Sequence, residues 1–374
     1  MIKMDNYRVA AYIDLRILEE NYKTIKAQLP PNVKMLCVVK ADAYGHGMIE
    51  VAGKLQTIGA DYLGVATISE GIALRSDGIH IPVLVMSGIL PWDDIKPVLH
   101  NSLSLVVYDI DTLKKIADAC ILQDKGINVH LKIDTGMGRL GFSLDDVPAV
   151  IKELKDSRYI NIEGIMSHFS MSEIRDEYGL QQVKAFKNIL QIFQYYDIRP
   201  ELIHMANSGA IINYPEAHFN MVRAGIGLYG SYSALELKKK LVVKQVMRLI
   251  SKIALIREFP PECSLSYGRT YTTEKKKKIA YIPVGYADGY PRFLSNKGSV
   301  LIKDKRCGVV GRICMDWILI DITEIENVVT GEEAVLLGSS HLDTITADEI
   351  AELTDTIPYE ILCKISSRVP RVYV

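Results

Sequence analysis

A (β/α)8 barrel followed by a mostly-β C-terminal domain is the fold class this sequence predicts. Eight short apolar, β-branched runs recur over the first two-thirds of the chain. Most gaps between them hold a helical pattern, such as Leu113-x-x-Ile116-Ala117-x-x-Cys120. From about Lys244 the runs become strand-like and are separated by turn residues. Strands alternating with helices imply βα units and a parallel sheet, and eight such units over roughly 230 residues fit a closed barrel. An open doubly wound sheet would give the same local pattern, because closure is not written in any one segment.

In order, the barrel runs cover 35–39, 62–66, 81–86, 103–108, 129–133, 160–166, 202–205 and 221–228. The second domain should hold strands over 246–256, 278–283, 299–302, 307–310, 317–322 and 333–337, with a short helix over 347–353. The stretch 7–14 alternates weakly and could pair with that β domain. The chain thus divides into a barrel over 1–243, of which the first ~12 residues could join the second domain, and a β domain over 244–374.

Composition removes several function classes. The 374 residues exceed one typical core. With 48% hydrophobic and 24% charged residues this is an ordinary globular chain. A net charge of -1 without a basic stripe gives nucleic acid nothing to bind. The run Lys275-Lys276-Lys277-Lys278 reads as a solvated turn or a strand edge, where lysines block edge pairing. Six scattered cysteines without Cys-x-x-Cys argue for reduced thiols in the cytoplasm, and against disulfides or a zinc site. There is no signal-peptide core, and no apolar run nears the ~20 residues that span a membrane.

Chemistry on such a barrel sits at the C-terminal ends of the strands, and the reactive side chains fall there. Lys40 ends the first run, in Val38-Val39-Lys40-Ala41-Asp42-Ala43-Tyr44-Gly45-His46-Gly47. A lysine that closes a buried strand points into the mouth of the fold. Partial desolvation lowers its pKa, so its amine can form a Schiff base with a carbonyl; alone, such a lysine could equally snorkel to water. The glycines after Tyr44 would let the backbone approach a bound group. Lys132 lies near the end of the fifth run, and Arg139 follows in a glycine-rich loop. His168 follows the sixth run, His204, Asn207 and Ser208 the seventh, and Arg223, Gly225 and Ile226 belong to the eighth. Any one of these could be structural; their shared rim is what matters.

Gly136–Gly141 and Gly225–Gly230 both match Gly-x-Gly-x-x-Gly, but a dinucleotide fingerprint needs the first βα turn. The second is better read as a phosphate cradle after the last strand, helped by the Ser208 hydroxyl. A Schiff-base lysine, a phosphate cradle and an arginine on the last strand together suggest pyridoxal phosphate. An arginine facing the pyridine nitrogen would leave that nitrogen unprotonated, because arginine stays charged.

Taken together, these residues closely resemble bacterial alanine racemase, a fold-type III pyridoxal-phosphate enzyme. The motifs that carry the likeness are the Lys40 segment, Lys132-Ile133-Asp134-Thr135-Gly136-Met137-Gly138-Arg139-Leu140-Gly141-Phe142, Leu265-Ser266-Tyr267-Gly268-Arg269-Thr270, Pro283-Val284-Gly285-Tyr286-Ala287-Asp288-Gly289-Tyr290 and Cys314-Met315-Asp316. The resemblance covers essentially the whole chain and implies the following. Lys40 holds the cofactor and is the base for the D-enantiomer; Tyr267, from the partner subunit of a homodimer, is the base for the L-enantiomer. Arg139 contacts the cofactor and the substrate carboxylate. Lys132 matches a lysine that is often carbamylated. Tyr44, Ser208, Gly225, Ile226 and Tyr359 match phosphate ligands. Arg223 faces the pyridine nitrogen with His204 nearby, and His168 and Asn207 complete the cofactor site. Met315 and Asp316 line the substrate end from the partner, and Tyr286 and Arg292 match an access corridor. The implied product, D-alanine, would feed peptidoglycan. Trp317 and Ser367 depart from the common pattern, whereas the retained Tyr359 favours alanine over serine. A serine/alanine racemase domain, a fold-type III decarboxylase and a non-catalytic pyridoxal-phosphate carrier are the rival readings.

Overall fold

β1 (Val9–Ile13) precedes a closed ring of eight parallel strands in the computed structural model, which describes residues 7–374. The ring is β2 (Lys34–Val38), β3 (Tyr62–Val65), β4 (Val83–Val85), β5 (Ser104–Val107), β6 (Ile127–Lys132), β7 (Ile160–Met166), β8 (Leu202–His204) and β9 (Met221–Ala224). Closure is made where β2 pairs with β9, from Lys34 opposite Met221 to Cys37 opposite Ala224. That pairing excludes the open sheet. Helices cover the outside, so most strand residues are buried on both faces and read as continuous apolar runs. Side chains start the helices: Asp109 accepts from the Thr112 N–H, Asp176 from that of Gly179, and Thr67 forms a capping box with Glu70.

Two barrel strands are only half as long as their apolar runs. The third is only Val83–Val85, because Pro82 brings no N–H to a ladder. The eighth stops at Ala224, and a 3-10 turn over Ile226–Tyr229 follows Gly225.

The β domain is built from β10 (Met247–Lys252), β11 (Leu255–Phe259), β12 (Ser264–Leu265), β13 (Tyr271–Thr272), β14 (Lys277–Ile282), β15 (Ser299–Ile302), β16 (Lys305–Gly308), β17 (Ile318–Asp321), β18 (Glu333–Ser339), β19 (Thr344–Ile345) and β20 (Arg371–Tyr373). The single strand expected over 246–256 is two strands in two sheets. Its backbone changes partner between Ile253, bonded to Glu332, and Ala254, bonded to Tyr281. The first half of the lysine run is the expected solvated turn, with Lys275 and Lys276 exposed, but the second half is not an edge: Lys277 and Lys278 open β14, the central strand between β11 and β17, and Lys277 pairs with Asp321 at 2.5 Å. β1 joins β10 antiparallel and β20 parallel, so the start of the chain is sewn into the larger β sheet; residues 1–6 lie outside the described residues. Helix Pro358–Cys363 and strand β20, too short to show a period, were not legible in the sequence. Among the described residues no helix is long and apolar enough to cross a membrane.

Candidate active site

The turn after β2 sets the site. Ala41, Asp42, Ala43 and Tyr44 all have left-handed φ values, 51–55°. Each such non-glycine residue costs about 1–2 kcal/mol, so neighbours must hold the turn. The Glu70 carboxylate accepts the Ala41 N–H at 2.7 Å, and the Asp42 carboxylate accepts that of Met48 at 2.8 Å. The Tyr44 ring lies edge-on to Tyr229 and Tyr359, at 5.0 and 5.6 Å. Gly45 and Gly47 do not face a bound group, contrary to expectation. A Cβ on Gly45 would stand 2.3 Å from the Leu362 carbonyl, and one on Gly47 would overlap the Tyr373 hydroxyl. Both glycines let the chain's own C-terminal segment close over the barrel.

This turn delivers Lys40 and Tyr44 to a cavity of about 370 Å³ at the C-terminal ends of the barrel strands. Lys132, Arg139, His168, Asn207, Ser208, Arg223, Gly225 and Tyr359 also line it. Lys40, Lys132, Arg139 and Arg223 bring four cationic side chains, and no lining residue is acidic. Burial, then Arg139, lowers the Lys40 pKa. The same two causes bring Lys132 down to about 8 and Arg223 down to about 9, which leaves Arg223 cationic at neutral pH.

Arg139 is carried by a loop folded around Asp134. That carboxylate accepts the N–H groups of Gly136, Met137 and Gly138, each at 2.8 Å. Arg223 is fixed from behind. Its Nη1 donates to Nδ1 of His204 at 3.0 Å, and its Nη2 donates to Nδ1 of His168 and to the Ser167 carbonyl, both at 2.8 Å. Arginine cannot accept, so both Nδ1 atoms carry lone pairs. Burial and then Arg223 hold both imidazoles well below the usual histidine range. At the last strand, Ser208 Oγ accepts the Gly225 N–H at 2.9 Å, and Asn207 caps the helix Ser208–Asn213.

Not every expected residue reaches this cavity. His204 stands behind Arg223, and Ile226 is fully buried beyond Gly225; neither lines the space. Met86 and Ser87, which do line it, were missed; the available signal was that Met86 closes the third barrel run and Ser87 follows it. Tyr267, Tyr286, Arg292, Met315 and Asp316 lie on the β domain and line none of it. They come instead from segments laced to one another. Ser266 Oγ donates to the Arg312 carbonyl at 2.6 Å, and the Tyr286 and Ala287 N–H groups donate to the carbonyls of Cys314 and Met315, both at 3.1 Å. Arg368 donates to Asp316 at 2.8 Å. Tyr267 is 70% exposed and Met315 52%.

A parallel barrel whose strand-end lysine faces a cationic, carboxylate-free cavity, with a second β domain carrying an exposed tyrosine, marks the chain as a two-domain (β/α)8 protein with a cavity suited to anions. Residues 13–233 match the family model "Alanine racemase, N-terminal domain", and residues 246–373 match "Alanine racemase, C-terminal domain". The chain belongs to the alanine racemase family. It is 40% identical to an alanine racemase of Geobacter sulfurreducens, over 99% of this chain and 98% of that one. Among solved structures it resembles an alanine racemase of Clostridium difficile 630 (38% identity, TM-score 0.92, 99% and 96% of the two chains). It also resembles a Bacillus anthracis alanine racemase with bound L-Ala-P (31%, TM-score 0.91, 98% and 95%). A third is a Bartonella henselae alanine racemase with covalently bound pyridoxal phosphate (28%, TM-score 0.87, 98% and 99%).

Proposed function

We propose that this chain interconverts L-alanine and D-alanine with pyridoxal 5'-phosphate, as a homodimer whose sites are each completed by the partner subunit. The observation that carries the reading is a cavity with four cationic side chains and no acidic lining residue. Two of the four, Lys132 and Arg223, are buried; buried cations demand anions, and a phosphate together with an amino-acid carboxylate would supply them. The residues present fit that cofactor. Gly225 is open where a Cβ would stand 3.2 Å from the Tyr44 hydroxyl and 3.7 Å from Ser208 Oγ, a cradle of hydroxyls and backbone for phosphate.

When bound, the cofactor draws electrons from the substrate α-carbon and makes its proton removable. Lys40 would anchor it covalently, and its lowered pKa then suits the amine to move a proton on one face. The partner subunit's Tyr267 would serve the other face. Arg139 would orient the substrate carboxylate. Arg223 would face the ring nitrogen; it stays cationic at neutral pH and offers a hydrogen bond without transferring its proton, which keeps that nitrogen unprotonated and limits side reactions such as transamination. Tyr44, Asn207, Ser208, Gly225 and Tyr359 would hold the phosphate end, with Ile226 able to contribute only its backbone N–H, since its side chain is buried outside the cavity. His168 and His204 support the cofactor site through Arg223. Lys132, down to about 8, has a neutral fraction able to attack CO2; an N–C bond forms, one proton leaves, and the carbamate would pair with Arg139. Met315 and Asp316 would close the substrate end from the partner, and Tyr286 and Arg292 would line the way in. The working division is a barrel over 1–243, with its β1 lent to the larger sheet of the β domain, and a β domain over 244–374, acting in the cytoplasm to supply D-alanine for peptidoglycan.

The test is proton exchange at Cα in D2O, read by NMR and chiral analysis with L-alanine and L-serine present together. D-alanine with little D-serine is the expected result. Comparable D-serine would move the chain to the serine/alanine group, and no exchange with either substrate would end the racemase reading. Mixing Lys40→Ala with Tyr267→Phe tests the shared site. Hybrid dimers should regain activity, since one site then has both groups; no recovery after subunit exchange would mean that each chain works alone.

A further inference from the structure

Behind Arg223 a chain of three hydrogen bonds runs through the barrel to its N-terminal end. Arg223 Nη1 meets His204 Nδ1 at 3.0 Å, His204 Nε2 meets His130 Nδ1 at 2.8 Å, and His130 Nε2 meets Glu163 Oε2 at 3.1 Å. Both rings are completely buried. Glu163 borders a separate cavity at the far end of the barrel, with Ser104 at the start of β5 and Asn128 near the start of β6.

The direction of every proton in this chain is forced. Arginine only donates, so His204 Nδ1 must accept. A neutral His204 then carries its proton on Nε2 and donates to His130 Nδ1. His130 in turn carries its proton on Nε2, and only an acceptor suits the next position. Glu163 is that acceptor. Tyr62 and Ser104 also donate to its Oε2, each at 2.7 Å. Burial alone would raise this carboxyl, but the bonds from His130, Tyr62 and Ser104 outweigh it and hold it at about 2. Burial keeps both imidazoles neutral. A chain with an obligate donor at one end and an obligate acceptor at the other admits one tautomer of each ring.

We infer that Glu163 is a positioning residue for the racemisation: it accepts the proton that Arg223 forces onto His130 Nε2, and so keeps His130 and His204 in the arrangement that holds both Nη groups of Arg223 and leaves its Nε–H for the cofactor site. This rests on the reading above that Arg223 faces the cofactor ring. A network that merely satisfied buried polar atoms would leave the cofactor's spectrum indifferent to Glu163.

The experiment uses holoenzyme with bound pyridoxal phosphate and ¹⁵N-labelled histidine. In the parent enzyme, NMR should find both His130 and His204 as neutral Nε2–H tautomers; an Nδ1–H form of either ring overturns the inference without any variant. Glu163→Met keeps the length and removes the acceptor. It should leave the His130 Nε2–H without its acceptor and move that ¹⁵N signal, shift the visible absorption of the cofactor, and lower kcat on the order of tenfold, as loss of a carboxylate behind a histidine commonly does, with KM for alanine little changed. Glu163→Gln keeps an acceptor oxygen and should restore all three readouts. An unchanged His130 signal, spectrum and kcat in Glu163→Met would overturn it. Failure of the racemase reading is distinguishable: the parent would then bind no pyridoxal phosphate or exchange no α-proton, whatever the two tautomers are.

Discussion

The barrel mouth and the exposed patch on the β domain both hold side chains suited to proton transfer, in opposite settings. At the mouth, Lys40, Lys132 and Arg223 are drawn out of water, and burial pulls each of their pKa values down. On the patch, Tyr267 and Met315 stand largely exposed, although the Ser266 hydroxyl ties their segments together through the Arg312 carbonyl. In the proposed homodimer that exposed tyrosine and methionine would meet the partner's barrel mouth. Under that proposal one half of the site is recognisable by desolvation, and the other by exposure.

The largest expected effect breaks the mouth. Lys40→Ala should lower alanine turnover by at least about 10⁴-fold, since it removes both the anchor and one proton-transfer group. Borohydride treatment followed by peptide mapping should lose the pyridoxyl label found on Lys40 in the parent; a label that persists elsewhere with full activity would show that another lysine serves.

Next comes the patch. Tyr267→Phe should slow reaction from L-alanine by about 10²–10⁴-fold, the usual worth of one general acid–base group. Cofactor affinity should hardly move, because Tyr267 lies outside the cavity of its own chain. An L-direction rate equal to the parent's would sever the patch from the chemistry.

A smaller effect separates the phosphate end from the rest. Gly225→Ala would place a methyl 3.2 Å from the Tyr44 hydroxyl. Loss of roughly one hydrogen bond, near 1.4 kcal/mol, should weaken pyridoxal phosphate binding about tenfold. Fluorescence titration of the cofactor-free enzyme checks this, and unaltered affinity would move the phosphate elsewhere.

The smallest effect is a pH dependence. Lys132 titrates at about 8 in the fold against an ordinary 10.5. Between these values the unfolded chain binds more protons, so stability should rise with pH across that window. Below about 8 the cost of burying the charged form is present in full. Denaturant midpoints of cofactor-free enzyme in CO2-free buffer should climb through that window, and Lys132→Met should flatten the climb.

Much of this was legible in the sequence, for local reasons. Apolar runs of strand length announce themselves by composition, and a lysine at the end of one is conspicuous against Met35–Val39's neighbours in the core. Helix 347–353 was readable because Thr346 caps it and Ile350 faces the core. The elements that escaped were short or depended on distant partners. The 246–256 run looks like one strand, and only the carbonyls of Glu332 and Tyr281 divide it. Lys277 and Lys278 look like edge residues until two other strands flank them.

By itself the sequence determined the strand–helix alternation, the change of pattern near Lys244 and the rim positions of Lys40, Arg139, Ser208 and Arg223, because each follows from periodicity or from where a strand ends. The tertiary structure alone decided that the ring closes, that Gly45 and Gly47 serve the C-terminal segment, and that Arg223 is linked through two histidines to Glu163. Those are contacts between residues tens to hundreds of positions apart. Hydrogen-bond direction and burial belong to pairs of residues, and a linear pattern specifies only single ones.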